Sequence, residues 1–221
     1  YFNSNEDLDY LFSNFDFKGK TVLSVLSSSD QLFKLKELGA KRVDTFDKNK
    51  LTYYYSFLRL WTLNYLGEDY PFEVLKNNHE WLNDLLSIVE CSSEEEIVAF
   101  NFWKKLADSD KDISRLFVVD EERIEDSSFD IGNDLSYIDI KFINMDLFKK
   151  NKYDQKYDYV ILSNILEWSH GDSTFLEKAD DNLNKMVMPG GSVICSRINY
   201  KNGGFELDER SLFNSNLFSA M

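Results

Sequence analysis

The 221 residues, 43% hydrophobic and 15% aromatic, can bury a full core and most economically form one domain spanning residues 1–221. A formal charge of −14, from 25 Lys and Arg against 39 Asp and Glu, repels polyanions, so no nucleic-acid partner is expected. No run approaches the roughly 18 uncharged apolar residues of a membrane-spanning helix, and Cys91 and Cys195 alone exclude a disulfide framework or zinc ribbon. The sequence opens on Tyr1 rather than Met, which reads as the interior of a longer chain, and what is present shows no basic-then-apolar leader. A cytoplasmic protein is the expectation, open to peripheral membrane contact, with its oligomeric state undetermined. The acids cluster at 94–96, 108–112 and 120–122 without the alternating spacing of a calcium loop, so they read as solvated faces and no metal is expected.

In chain order, the first strand is expected at 21–26. A helix follows whose apolar face is Leu32, Phe33, Leu35 and Leu38, with Ser29 or Asp30 as N-cap and Gly39 as its stop. A second strand is expected at 42–46. The stretch LTYYYSFLRLWTLNYL, 51–66, is apolar nearly all round and reads as a buried helix, with Tyr54, Tyr55 and Trp61 as core. The long crossover that follows, a helical insertion at about 70–134, should hold helices near 72–90 and 94–107 and the short apolar piece RLFVVD. Strands are then expected at 138–144, 157–162 and 191–197, the last entered through a tight MPGG turn at 188–191. YDYVILSN and GSVICSRI are nearly continuous apolar runs, as in strands buried on both faces. Strands alternating with helical segments predict an α/β fold, a mostly parallel sheet flanked by helices.

In such a sheet, ligands bind beyond the carboxyl ends of the strands. The first strand there runs into Ser27, Ser28, Ser29 and Asp30, where a dinucleotide fold would place G-x-G-x-x-G; that motif and Walker A are both absent, which disfavours an NAD-dependent oxidoreductase. Asp47, 18 residues after Ser29, stands near the offset at which these folds set a carboxylate on ribose hydroxyls. Ribose without pyrophosphate is the economical inference. Asp30 could accept from an amino group, and the serine hydroxyls and backbone N–H groups could hold a carboxylate. An amino acid joined to a nucleoside meets both demands, which fits S-adenosylmethionine. Asp146 in FINMDLF could accept from an adenine amine while Met145 and Leu147 pack on the ring, and Ser163, Asn164 and Glu167 in SNILEW reach the same edge.

This order resembles the class I methyltransferase fold, Rossmann-like, over nearly the whole chain. VLSVLSSSDQLFKLKELGAKRVDTFDKNKLTYYYSFLRL is similar to the opening of the family of S-adenosylmethionine:diacylglycerol 3-amino-3-carboxypropyl transferases of betaine-lipid synthesis. That family follows its second strand with Asp, a variable residue and Asn, which Asp47, Lys48 and Asn49 match; SRLF at 114–117, NMDL, SNILEW and RSLF at 210–213 extend the likeness. The resemblance implies S-adenosylmethionine as cofactor and a small-molecule or lipid-like acceptor.

The sulfonium of that cofactor activates three carbons, so methyl and 3-amino-3-carboxypropyl transfer both stay open. By position, Glu167 and His170 are the candidate general bases, and Arg197 could pair with an anionic group of the acceptor. The competing reading is a catalytically silent binding or scaffold protein on the same fold, which the missing glycines favour.

Overall fold

The computed structural model describes residues 7–67, 79–109, 140–150, 152–153, 155–166, 173–195, 198–201 and 204–207. Their elements in chain order are α1 (Leu8–Phe12), β1 (Thr21–Val25), α2 (Asp30–Glu37), β2 (Arg42–Asp47) and α3 (Lys50–Trp61), which runs into a π-helical turn, Thr62–Leu66. Then come α4 (His79–Ile88), α5 (Glu94–Ala107), β3 (Lys141–Asn144), β4 (Tyr157–Ser163), α6 (Ser173–Met186), β5 (Val187–Cys195) and a hairpin of β6 (Ile198–Lys201) and β7 (Gly204–Leu207). Among the described residues no helix is long and apolar enough to cross a membrane.

These elements fall into two compact units. One holds described residues 7–26, 34–48 and those from 140 onward, the other residues 27–33 and 49–109. The second unit begins well before residue 70, because α3 and the serine turn belong to it.

The first unit is built on a five-stranded sheet of order β3-β2-β1-β4-β5 in which every neighbouring pair is parallel. This is an α/β, Rossmann-like sheet: the chain moves outward from β1 through β2 to β3, then returns to the other side of β1 for β4 and β5, which creates a switch point between β1 and β4. The apolar strand segments are those expected, with shifted ends, and the helices between β2 and β3 supply the insertion. Leu23, Val25, Phe46, Val160 and Leu162 project from one sheet face onto Ala179, Leu183 and Met186 of α6. On β1 and β4 the neighbouring positions Val22 and Tyr159 point the other way, Tyr159 meeting the rings of Phe15 and Phe17 at 5.8 and 4.9 Å.

Three expectations need adjustment. β5 starts at Val187, not 191, and MPGG lies inside it as a bulge: Tyr157 pairs with Val187 but Tyr159 with Ser192. Gly190 takes φ +81°, and a Cβ on Gly191 would stand 2.7 Å from the Asp158 carbonyl oxygen, so both glycines are required there. The helix expected over 51–66 is α-helical only to Trp61. Neither α1, capped by Asp7 on Tyr10 N–H, nor the β6–β7 hairpin was anticipated from the pattern.

In the second unit, α3, α4 and α5 pack through Tyr55, Leu58, Leu82, Leu85, Ala99 and Trp103, all buried. Trp61 is buried as expected, whereas Tyr54 is half-buried, stacked on Phe102 at 4.3 Å with its carbonyl accepting from the Trp103 indole N–H at 2.8 Å. Glu94, Glu95 and Glu96 form the first turn of α5, where Ser93 and Glu96 make a capping box; these acids serve the helix start. The expected RLFVVD segment and residues 110–139 lie outside the described residues.

Candidate functional site

Beyond β1 the chain turns through Ser27, Ser28 and Ser29 into α2. Ser27 has φ +45° and Ser29 φ +78°, the left-handed conformation that a glycine loop adopts without cost. Serines hold here a backbone geometry that suits glycine, at about 1–2 kcal/mol for each such residue. The Ser29 carbonyl accepts the first helical bond, from Phe33 N–H at 3.1 Å, so Ser29 is the N-cap by position. Its hydroxyl makes no capping bond: Oγ is buried and has no hydrogen-bond partner among the described residues. A left-handed N-cap aims its side chain differently from the extended one that ordinarily caps a helix. Gly39, at φ +80°, ends α2 as expected, with the N–H of Ala40 returning to the Leu35 carbonyl.

Asp30 is fully buried and engaged within the protein. Its Oδ1 takes a hydrogen bond from Arg59 Nη1 at 2.5 Å and its Oδ2 one from the Ser28 hydroxyl at 2.6 Å. The same Arg59 nitrogen donates to the Ser28 carbonyl, and the guanidinium lies 5.1 Å from the centre of the Phe33 ring. Arg59 is the residue that sequence reasoning missed. The available signal was a lone cation inside SFLRLW, a stretch otherwise apolar all round, which requires a buried anion to accompany it.

At the carboxyl ends of β2 and β3 the structure brings Asp47 and Asp146 to one edge of the sheet. The Asp47 carbonyl accepts from Met145 N–H and from the Asn144 side-chain amide, both at 3.1 Å, and Asn144 also donates to the Lys48 carbonyl. Asn144 therefore fixes the end of β2 against that of β3. Asp146 accepts from Phe148 N–H at 3.0 Å, an Asx turn, and lies 3.5 Å from Lys149 Nζ. Met145 and Asp146 line a groove of about 570 Å³ together with Lys48, Lys149, Lys150 and Lys152. Leu147, expected beside a ring, is buried in the apolar core with Met145. Asn49 caps α3, its side chain accepting from Leu51 N–H at 3.0 Å.

Ser163 closes β4 at φ +54° and is buried, and Asn164 follows in a turn. Among the described residues, the left-handed positions other than glycine are these three serines, two just past β1 and one at the end of β4. Glu167, His170 and Arg197, the candidate bases and acceptor contact, lie outside the described residues. Burial, assisted by Glu96, pushes the Cys91 thiol up, which leaves it a poor nucleophile at neutral pH. Among the described residues no cluster of His, Cys, Asp and Glu could hold a metal ion.

Comparison with family models and with curated proteins finds no match for the chain. Among solved structures, it is similar to the glycopeptide N-methyltransferase MtfA at 12% identity and a TM-score of 0.35, over 82% of this chain and 48% of that one. For MtfA complexed with (S)-adenosyl-L-methionine the identity is 12% and the TM-score 0.38, over 88% of this chain and 54% of the other. The chain thus spans about half the length of these structures. At such scores the fold assignment rests on the strand order, not on the likeness.

Proposed function

We propose that the chain binds S-adenosylmethionine and transfers its methyl or 3-amino-3-carboxypropyl group to a small-molecule or lipid-like acceptor. The observation that carries this reading is the placing of the left-handed serines at the carboxyl ends of β1 and β4, the strands on either side of the switch point. Backbone strain kept in non-glycine residues collects where a ligand is held. In this reading Asp47 accepts from the ribose hydroxyls, Asp146 and Met145 serve the adenine, and the serine turn with the amino end of α2 receives the ligand's carboxylate. Asp30 supports the turn from behind, its carboxylate being engaged by Arg59 and Ser28. Bound S-adenosylmethionine supplies an electrophilic carbon beside its sulfonium. The protein's share of the work is to align the acceptor with that carbon and exclude water, with Glu167 or His170 proposed to take the acceptor's proton and Arg197 to hold an anionic acceptor group.

Calorimetric titration with S-adenosylmethionine tests the reading: binding by the wild type is expected, weakened about tenfold or more in Asp47→Ala as two charge-assisted hydrogen bonds are lost. No binding by the wild type overturns it. Product analysis separates the branches, since methyl transfer leaves S-adenosylhomocysteine and aminocarboxypropyl transfer leaves methylthioadenosine. Binding without turnover of any acceptor favours the silent scaffold instead.

A further inference from the structure

We propose that Arg59 is a positioning residue that holds the serine turn in its left-handed form and, by neutralising Asp30, keeps the amino end of α2 receptive to a ligand's carboxylate. The geometry supports both roles. One nitrogen of Arg59 binds the Ser28 carbonyl, between the two left-handed residues, and also the Asp30 carboxylate at 2.5 Å. The Ser28 hydroxyl closes the ring onto the other Asp30 oxygen at 2.6 Å. Arg59 and Asp30 have side chains 0% and 1% exposed, so water screens little of their attraction. An ionised Asp30 without this partner would set a negative charge in the first turn of α2, against any incoming anion. With Arg59 in place the pair is neutral, and beside it stands the buried Ser29 hydroxyl, which has no hydrogen-bond partner among the described residues. A glycine-rich turn would reach this shape unaided; a serine turn needs something to hold it there.

The positioning of the carboxylate rests on the function proposed above, so the test has one arm that does not. Asp30→Asn with Arg59→Met removes both charges together and avoids leaving either one buried alone. Adding Ser27→Gly relieves left-handed strain without touching the Ser29 hydroxyl. Hydrogen exchange of amides 28–33, without ligand, is expected to rise about tenfold or more in the double variant and to return toward wild type when Ser27→Gly is added. Unchanged exchange overturns the clamp, as does a rise that glycine does not reverse, which marks a merely structural pair. In calorimetry the double variant should bind S-adenosylmethionine about tenfold more weakly, with Ser27→Gly restoring most of the loss. Methylthioadenosine, which lacks the carboxylate, should bind within about twofold of wild type throughout. Equal losses for both ligands overturn the positioning role. A wild type that binds neither ligand overturns the proposed function and the carboxylate role with it, while the exchange arm still decides the clamp.

Discussion

Two Arg–Asp pairs in this protein do opposite things. Asp44 of β2 has a side chain 1% exposed and collects donors in excess: Arg42 Nε and Nη2 at 2.8 and 2.7 Å, Tyr157 at 2.5 Å, Lys141 at 3.4 Å, with Tyr153 beside them. It lies toward the amino ends of β2, β3 and β4, in extended backbone, and Gln155 receives the next hydrogen bonds from Arg42 and Tyr153. Asp30 has a fully buried partner, left-handed serines on the same turn and, beside it, a Ser29 hydroxyl with no hydrogen-bond partner among the described residues. The first network staples strands where no ligand is expected. The second places its ion pair on a left-handed turn where ligand binding is proposed, and the lesson is that similar pairs serve sheet integrity or turn geometry according to the backbone they hold.

The largest expected effect breaks the Arg59–Asp30 pair. Arg59→Met takes the guanidinium partner from a buried Asp30, which should cost about 3–5 kcal/mol in urea unfolding, whereas the double variant with Asp30→Asn should recover most of it. Equal losses in the two would show that packing of the Arg59 stem, not the pair, is what matters.

Arg42→Met should cost less, about 1–2 kcal/mol, because Arg42 is partly exposed and screened and Tyr157 and Lys141 remain on Asp44. This pair also carries a pH signature. Burial acts to raise the Asp44 pKa, but the hydrogen bonds from Arg42 and Tyr157 outweigh it and hold the carboxyl below its ordinary value. A depressed folded-state value contributes stability that is fully present above the unfolded pKa of about 4 and is lost as pH falls through the folded one. Chemical denaturation below pH 4 should therefore show the wild type losing stability more steeply than Arg42→Met; parallel profiles would remove Asp44 as a contributor.

The smallest effect sharpens the contrast. Burial, and then the Asp44 carboxylate, push the Tyr157 hydroxyl pKa far up, so it remains a donor throughout the physiological range. Tyr157→Phe removes one of several bonds to Asp44 and should cost about 0.5–1 kcal/mol in thermal or urea unfolding, with ligand binding unchanged. A fall in S-adenosylmethionine affinity in this variant would contradict the separation between stapling network and site.

Much of the fold was legible in the residues. Apolar runs bounded by polar turns located the five sheet strands, since a strand buried on both faces tolerates little else, and Gly39 marked the end of α2 because only glycine takes φ +80° without strain. Strand ends were less legible: the MPGG bulge inside β5 depends on pairing with β4, which no single strand encodes. Asp47 and Asp146 could be placed at the carboxyl edge by counting from the strands. Asp30 and Asn49 could not be given their hydrogen-bond partners, because Arg59 is 29 residues away in sequence and the cap of α3 competes for the same amide.

Sequence by itself therefore determined the alternation of strands and helices, and with it the parallel sheet, because burial of apolar surface is dictated by local composition and period. Tertiary structure alone decided which charges meet. A buried ion must find its partner wherever the folded chain brings one, and the fold set Arg59 against Asp30 and the Ser28 carbonyl.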